Sequence, residues 1–600
     1  MPGPSRPGDI GIVLNNLRRL TPYFRPYQAT YAVGLALVIA SNFLLTLGPR
    51  FIEQGVNALA AGHDLAGVRR AALLLLGSAL LGGIARYGMR QTLNSGSRRV
   101  EYDMRNQLFR HLQTLSADFY DRAPTGDLMA RLTNDLLAVR MAAGPAVMYL
   151  VDTFTRACIV LPMMAAISTR LTVLALLPVA GLPLVMIIFG QAIHVRSLAI
   201  QDYFSELTRF VHENISGVRV VRAYRQEPAE ARQFERMSEE YARRNIALAR
   251  AAGAFNPLLG LLGGLGGVVV LYLGGQDVMT GRVSPGAFVA FGVYLAQLVW
   301  PLIALGWVVN LLNRAEASMG RLNVLFAERP SIVSPSQPVP LPPAAGARRL
   351  TFEGVWFRYP NAHDRGWVLQ DISFDLAAGR SLAVVGATGS GKSTLAELII
   401  RAYDPDRGRI LLDGVDIRSL DLRELRRAVG FVPQDTFLFS ETLRENVLLG
   451  APDDGRLQKA AEVSQLAAAV PSLPSGYDTM LGERGINLSG GQKQRAAIAR
   501  ALAQEPPVFV LDDALSAVDA QTEARILGAL RGALAGRTSV VISHRLAAVR
   551  DADRILVLDQ GRVVEEGIHA TLAAKRGRYW ELLWRQEVEE ELEETVTGER

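Results

Sequence analysis

Six apolar segments crowd the first half of the chain, near 29–52, 69–92, 143–167, 171–194, 254–276 and 286–312. A membrane span needs about 20 mostly apolar residues, because only a helix or a closed barrel satisfies its own backbone in hydrocarbon. The pattern excludes a soluble first half and predicts an α-helical membrane domain over 29–315. It also explains why 49% of the 600 residues are hydrophobic, since the apolar content is concentrated in that half.

Short connections are expected near Gln54–Gly67, Ser168–Arg170 and Gln276–Pro285, and long ones near Asn94–Ala142 and His194–Gly253. The formal net charge of +6 comes almost entirely from Arg, since Lys occurs only at Lys392, Lys459, Lys493 and Lys575. Arg clusters flank the apolar segments, as in "SRRVEYDMRNQLFR" and "YRQEPAEARQFERMSEEYARR". Positive charge on the cytoplasmic side accounts for the basic balance without a nucleic-acid partner. It places both long connections and both termini in the cytoplasm. The single cysteine, Cys158, rules out an intrachain disulfide framework. "MPGPSRPGD" is polar and carries no cleavable signal pattern.

Residues 1–28 are expected to hold an amphipathic elbow helix over 12–25. Leu14, Leu17, Leu20 and Phe24 lie near one face, and Arg18, Arg19 and Arg25 are available to lipid headgroups. Each long connection holds a break, at Pro124 and Gly126 in the first and Ser216–Gly217 in the second. The spacing fits an ordinary helix–turn–helix as well as a short transverse helix that docks on another domain. In the fifth span, Gly260, Gly263, Gly264, Gly266 and Gly267 predict close helix packing. Arg86 and Arg90 on the second span, and Asp152 and Arg156 on the third, are each four residues apart. They fit either a polar cavity or side chains snorkelling at the membrane edge.

Composition shifts beyond the last span. Residues 316–349 include the Pro-rich "PSIVSPSQPVPLPPAAGARR", read as an extended linker. Strands and helices then alternate over 350–585, followed by an acidic tail, 586–600. "SLAVVGATGSGKST" joins a strand to a glycine-rich loop and a helix start. That arrangement lets backbone N–H groups and the positive helix end meet phosphate oxygens. Gly386, Thr388, Gly389, Ser390, Gly391, Lys392, Ser393 and Thr394 make the candidate ATP cradle. Lys392 is expected on the β- and γ-phosphates, and the Ser393 hydroxyl on Mg²⁺. A second apolar strand, Val508–Leu511, ends in Asp512 and Asp513; Asp512 is the second magnesium contact.

"FVPQD" around Gln434, "GERG" before "LSGGQKQR", "SAVD" at Ser516–Asp519 and "ISHR" around His544 complete the set. Together they resemble the nucleotide-binding domain of ABC transporters. With six preceding spans and "LSADFYDRAPTGDLMARLTND", the chain from about 10 to 585 resembles a half-transporter of the ABC exporter type. The resemblance implies coupling helices near Ala117–Asp121 and Gly217–Tyr224. It implies that Tyr359 stacks on adenine, that Gln434 links Mg²⁺ to the coupling helices and that His544 contacts the γ-phosphate. Ser489, Gly490, Gly491 and Gln492 would close over ATP held by a second subunit, and Asp519 would communicate between the two sites. Asp513 stands where the family carries a water-orienting Glu. The catalytic set is thus Asp513, His544, Gln434 and Asp519. Because Asp513 is one methylene short, the expected assembly is a heterodimer with a non-identical half-transporter rather than a homodimer. Its expected place is a bacterial inner membrane, in contact with lipid. The cargo is an amphiphilic small molecule, a lipid or a peptide, and an ATP-gated channel or regulatory membrane protein is the alternative class.

Overall fold

The computed structural model describes residues 15–62, 64–343, 346–360, 366–545, 549–586 and 588. Leu14 and most of the acidic tail lie outside the described residues. The chain divides into two units: Met1–Gln113 with Gly126–Glu328, and Thr114–Thr125 with Arg329–Arg600.

The first unit is helical. Its long elements are α1 (Gln28–Thr46), α2 (Gly48–Ala60), α3 (Leu65–Thr114), α5 (Thr125–Ile167), α6 (Thr169–Val179), α7 (Leu182–Ser216), α9 (Glu227–Met279) and α10 (Pro285–Ala327). Two short helices, α4 (Ala117–Arg122) and α8 (Val218–Ala223), interrupt the long connections at the expected breaks. Among the described residues five stretches are long and apolar enough to cross a membrane. The expected fourth span, 171–194, is the exception, because it is split between α6 and α7. Pro178 lies in the last turn of α6 and Pro183 in the first turn of α7. The Gly181 N–H bonds back to Pro178 O at 3.1 Å, tightening the break between them.

Connections are shorter than the apolar runs suggest, since helices continue through Ala60, Met279 and Ala327. Ser168 alone separates two helices and caps the second, its Oγ accepting from Leu171 N at 3.2 Å. The N-terminal elbow is not one amphipathic helix. Leu17–Leu20 and Arg25–Tyr27 are 3-10 turns on either side of a single α-turn, Thr21–Phe24, with Pro22 and Pro26 breaking the run. Of the fifth-span glycines Gly266 is buried, while the other four lack the expected close contacts within this chain. A Cβ placed at Gly260, Gly264 or Gly267 meets nothing within 4 Å, and one at Gly263 meets only Val299, at 3.9 Å.

Charges in the spans do pair. Arg156 lies 3.3 Å from Asp152 and donates to Asn42 Oδ1 at 3.0 Å, while Asn42 donates to Asp152 O at 3.1 Å. All three are buried. Arg86 approaches Asp152 at 3.9 Å and stays partly exposed. Asn42 braces the buried pair by bonding to both residues, while Arg156 Nε is buried without a partner.

The second unit is α/β. Its strands are β1 (Leu350–Phe357), β2 (Leu369–Leu376), β3 (Ser381–Gly386), β4 (Arg407–Leu412), β5 (Val415–Asp416), β6 (Val429–Val432), β7 (Val508–Asp512), β8 (Thr538–Ile542), β9 (Arg554–Asp559) and β10 (Arg562–Gly567). One sheet, ordered β2-β1-β4-β5, is antiparallel; the other, β10-β9-β3-β8-β7-β6, is parallel except for β10. β7 is buried at every position, as expected for a strand covered on both faces. Helix α4 belongs to this unit. Tyr403 donates to Asp121 at 2.5 Å, Ser331 to Asp118 at 2.8 Å, and Ile332 N to Ser116 Oγ at 2.9 Å. The first break is therefore a short helix seated on the α/β fold.

Candidate nucleotide site

Parallel pairing brings the motifs together. Val384 lies opposite Ile542, Ile542 opposite Asp512, and Leu511 opposite Val432. The loops holding Gly386–Ser393, Asp513, His544 and Gln434 therefore emerge at the carboxyl ends of neighbouring strands, where open α/β sheets bind ligands.

The cradle begins where β3 ends. A Cβ at Gly386 would lie 2.1 Å from Leu558 O, and one at Gly391, at φ +101°, would lie 2.6 Å from the Leu369 side chain. Only glycine fits either place. Ser390 Oγ inside the loop is buried and unpartnered, a polar group without a ligand on the protein side. Helix α11 (Lys392–Ile399) starts directly behind it. Lys392 Nζ donates to Gly386 O at 2.8 Å and Ala387 O at 2.9 Å, folded over the loop it would share with phosphate. Burial lowers its pKa, and the Asp513 and Asp512 carboxylates oppose that shift. Ser393 Oγ donates to Asp512 Oδ1 at 3.1 Å. Asp512 is buried, and burial raises its pKa. A divalent cation bound between that hydroxyl and that carboxylate would offset the desolvation. Among the described residues no cluster of three or more metal-ligating side chains exists. The Ser393 hydroxyl and Asp512 carboxylate fit Mg²⁺, which is usually bound through one or two protein oxygens together with substrate phosphates.

Three expected residues, Tyr359, Asp519 and Asp513, have partners within the chain. The Tyr359 hydroxyl meets Thr394 Oγ1 at 2.9 Å and donates to Glu397 at 2.8 Å, and its ring packs edge-on to Tyr403, 5.3 Å between centroids. Burial raises the pKa of both Tyr359 and Glu397. Asp519 caps helix α15 (Ala520–Leu534), accepting from Thr522 N at 2.9 Å. Asp513, at φ +46°, lies 2.7 Å from His544 Nδ1. Gln434 is exposed on the loop after β6.

The signature lies on its own helix. Ser489 caps α14 (Gly490–Ala503) in a capping box: its Oγ accepts from Gln492 N at 3.3 Å and Gln492 Oε1 from Ser489 N at 2.9 Å. Sequence reasoning missed Gln494 and Arg545, which grip the Ser516–Val518 loop from two sides. Their position inside recognised motifs was the only available signal.

A membrane helical unit joined to a nucleotide-binding α/β domain defines an ATP-driven membrane transporter. The family models for "ABC transporter transmembrane region" and "ABC transporter" match residues 31–302 and 369–516. The chain is 37% identical to the "Probable multidrug resistance ABC transporter ATP-binding/permease protein YheI" of Bacillus subtilis (strain 168), over 95% of this chain and 98% of that one. It is 33% identical to the "ATP-dependent lipid A-core flippase" of Syntrophus aciditrophicus (strain SB), over 96% of each. The "Structure of a bacterial Atm1-family ABC exporter with ATP bound" superposes with TM-score 0.72 at 28% identity, covering 94% and 99%. The chain belongs to the ABC transporter family, as an ATP-driven exporter half with one membrane region and one ATPase domain.

Lys392→Ala is expected to weaken nucleotide trapping on this chain's own loop on the order of tenfold or more. Site-resolved photolabelling of the assembled transporter measures it. Unchanged labelling would remove Lys392 from the phosphate site.

Proposed function

We propose that this chain is one half of a heterodimeric exporter of amphiphilic or hydrophobic compounds. Its own phosphate loop holds ATP and hydrolyses it slowly. Its intact signature, Ser489–Gln492, completes a faster site on the partner's loop. One observation carries the reading: the side chain that follows Asp512 is Asp513, one methylene shorter than Glu, and its carboxylate lies 2.7 Å from His544. A general base has to come within about 2.6–3.2 Å of the proton it takes. Withdrawal by ~1.5 Å, the length of one C–C bond, is enough to disable it.

The site roles follow from that reading. Lys392 binds phosphate, Ser393 and Asp512 hold Mg²⁺, Gln434 reads the cation, and His544 contacts the γ-phosphate. The exposed α8 and its C-cap, with Val220 and Tyr224 61% and 74% exposed, supply a docking face for a partner. A bacterial inner-membrane location, with both termini cytoplasmic, accords with the bacterial relatives and the Arg-rich connections. The names of relatives support a multidrug exporter first and a lipid flippase second. The buried Arg156–Asp152–Asn42 cluster suits either cargo.

Purification from the native host is expected to recover a second, non-identical ABC half. Proteoliposomes of that pair should drive uphill, ATP-dependent flux of a hydrophobic dye. A stable, fully active assembly of this chain alone would overturn the heterodimer. Downhill ion conductance without uphill flux would favour a gated channel.

A further inference from the structure

The Ser516–Val518 loop is held from both sides by side chains that the ATP-binding motifs leave unassigned. On one side is the signature helix. Gln494, only 4% exposed, donates from Nε2 to Ser516 Oγ at 2.9 Å and accepts at Oε1 from Ala517 N at 2.9 Å. The signature glycines meet the same loop: a Cβ at Gly490 would lie 3.3 Å from Ala517 Cβ, and one at Gly491 3.0 Å from Ala517 O. On the other side is Arg545, next to His544. Its Nη1 donates to Val518 O at 3.1 Å and its Nη2 to Ser516 O at 3.2 Å. It also pairs with Glu523, which is 5% exposed. His544 in turn meets Asp513 at 2.7 Å.

A guanidinium is a rigid planar fork and can reach two carbonyls and a carboxylate together. An ammonium can pair with Glu523 but cannot span both carbonyls. The Gln494 amide likewise matches one donor and one acceptor of the loop at once. Such contacts fix the loop relative to two elements rather than merely filling space.

We infer that Gln494 and Arg545 are positioning residues that tie the signature helix to the His544 loop through Ser516–Val518. The inference rests on the proposed head-to-tail pairing, in which signature and His544 serve different ATP sites. The relay then links the two half-sites that one chain contributes. A shift of His544 at one site moves the loop carbonyls, and the loop moves the signature helix at the other. Each residue acts through the loop.

The test is a double-mutant cycle on the assembled transporter, read as kcat and KM for ATP. Gln494→Leu and Arg545→Lys should each lower kcat about tenfold with KM within about twofold, and the double variant should fall no further. Gln494→Glu, which still accepts from Ala517 N and from the Ser516 hydroxyl, should restore most of the rate. If Arg545→Lys fails to assemble, Glu523→Gln takes its place in the cycle, and the same non-additivity is required. Multiplicative losses, unchanged kcat, or an effect confined to KM would overturn the relay. Ser489→Arg separates the two levels. If it leaves turnover intact, the head-to-tail reading fails; if it stops turnover while the cycle is additive, only the relay fails.

Discussion

Ser489→Arg is expected to lower steady-state ATPase of the assembled pair on the order of a hundredfold, although this chain's own phosphate loop is untouched. Ser489 caps α14 and leaves the N–H groups of Gly490 and Gly491 at the positive helix end. That end is a ready anion site, with the small glycines allowing close approach. Arginine removes the cap, which alone costs about 0.5–2 kcal/mol, and places a long side chain where phosphate must sit. Lost stabilisation of developing charge at such a site is worth about 10²–10³ in rate. Two measurements are needed, turnover and nucleotide labelling of this chain's own loop. Turnover should collapse while labelling persists. Turnover near wild type would exclude this chain's signature from any working site.

The loop Gly386–Ser393 and the carboxylate pair at the end of β7 were legible because local geometry dictates them: a strand, glycines that a Cβ would block, then a helix. The long helices beyond the apolar segments and their breaks were legible from periodicity and from Pro124 and Gly217. Hydropathy could not show that Pro178 and Pro183 split the fourth span, since an apolar run reads alike whether or not its helix is continuous. The glycines of 260–267 misled for a related reason. Small residues permit close packing, but the packing needs a neighbour, which Gly260, Gly264 and Gly267 do not find among the described residues. Long-range contacts were least legible. His544 meets Asp513 only because β8 lies in register beside β7. Arg545 reaches Ser516 and Val518 for the same reason. The Tyr359 hydroxyl is drawn to Glu397 by a helix that the sequence places but cannot orient.

In the proposed heterodimer, replacing a catalytic Glu of the partner by Gln is expected to lower turnover on the order of a hundredfold or more, the usual worth of a general base. Asp513→Asn in this chain should change it less than about twofold. The asymmetry follows from what each residue can reach. Asn keeps an oxygen that can accept from His544, so the local hydrogen bond survives and only the charge is lost. If little hydrolysis occurs at this site, losing that charge costs little. Asp513→Glu works in the other direction. Glu adds one methylene and so extends the carboxylate's reach by ~1.5 Å, the length of one C–C bond. Turnover should rise by up to about twofold as a second site begins to work. At the same time the interval for which trapped nucleotide stays on this chain should shorten, because it no longer survives successive cycles at the other site. Steady-state ATPase and trapped-nucleotide lifetime, measured on the same preparations, test both halves. A loss with Asp513→Asn as deep as that of the partner's Gln would make Asp513 a working base. The contact to His544 would then be part of catalysis rather than the place where a short side chain comes to rest.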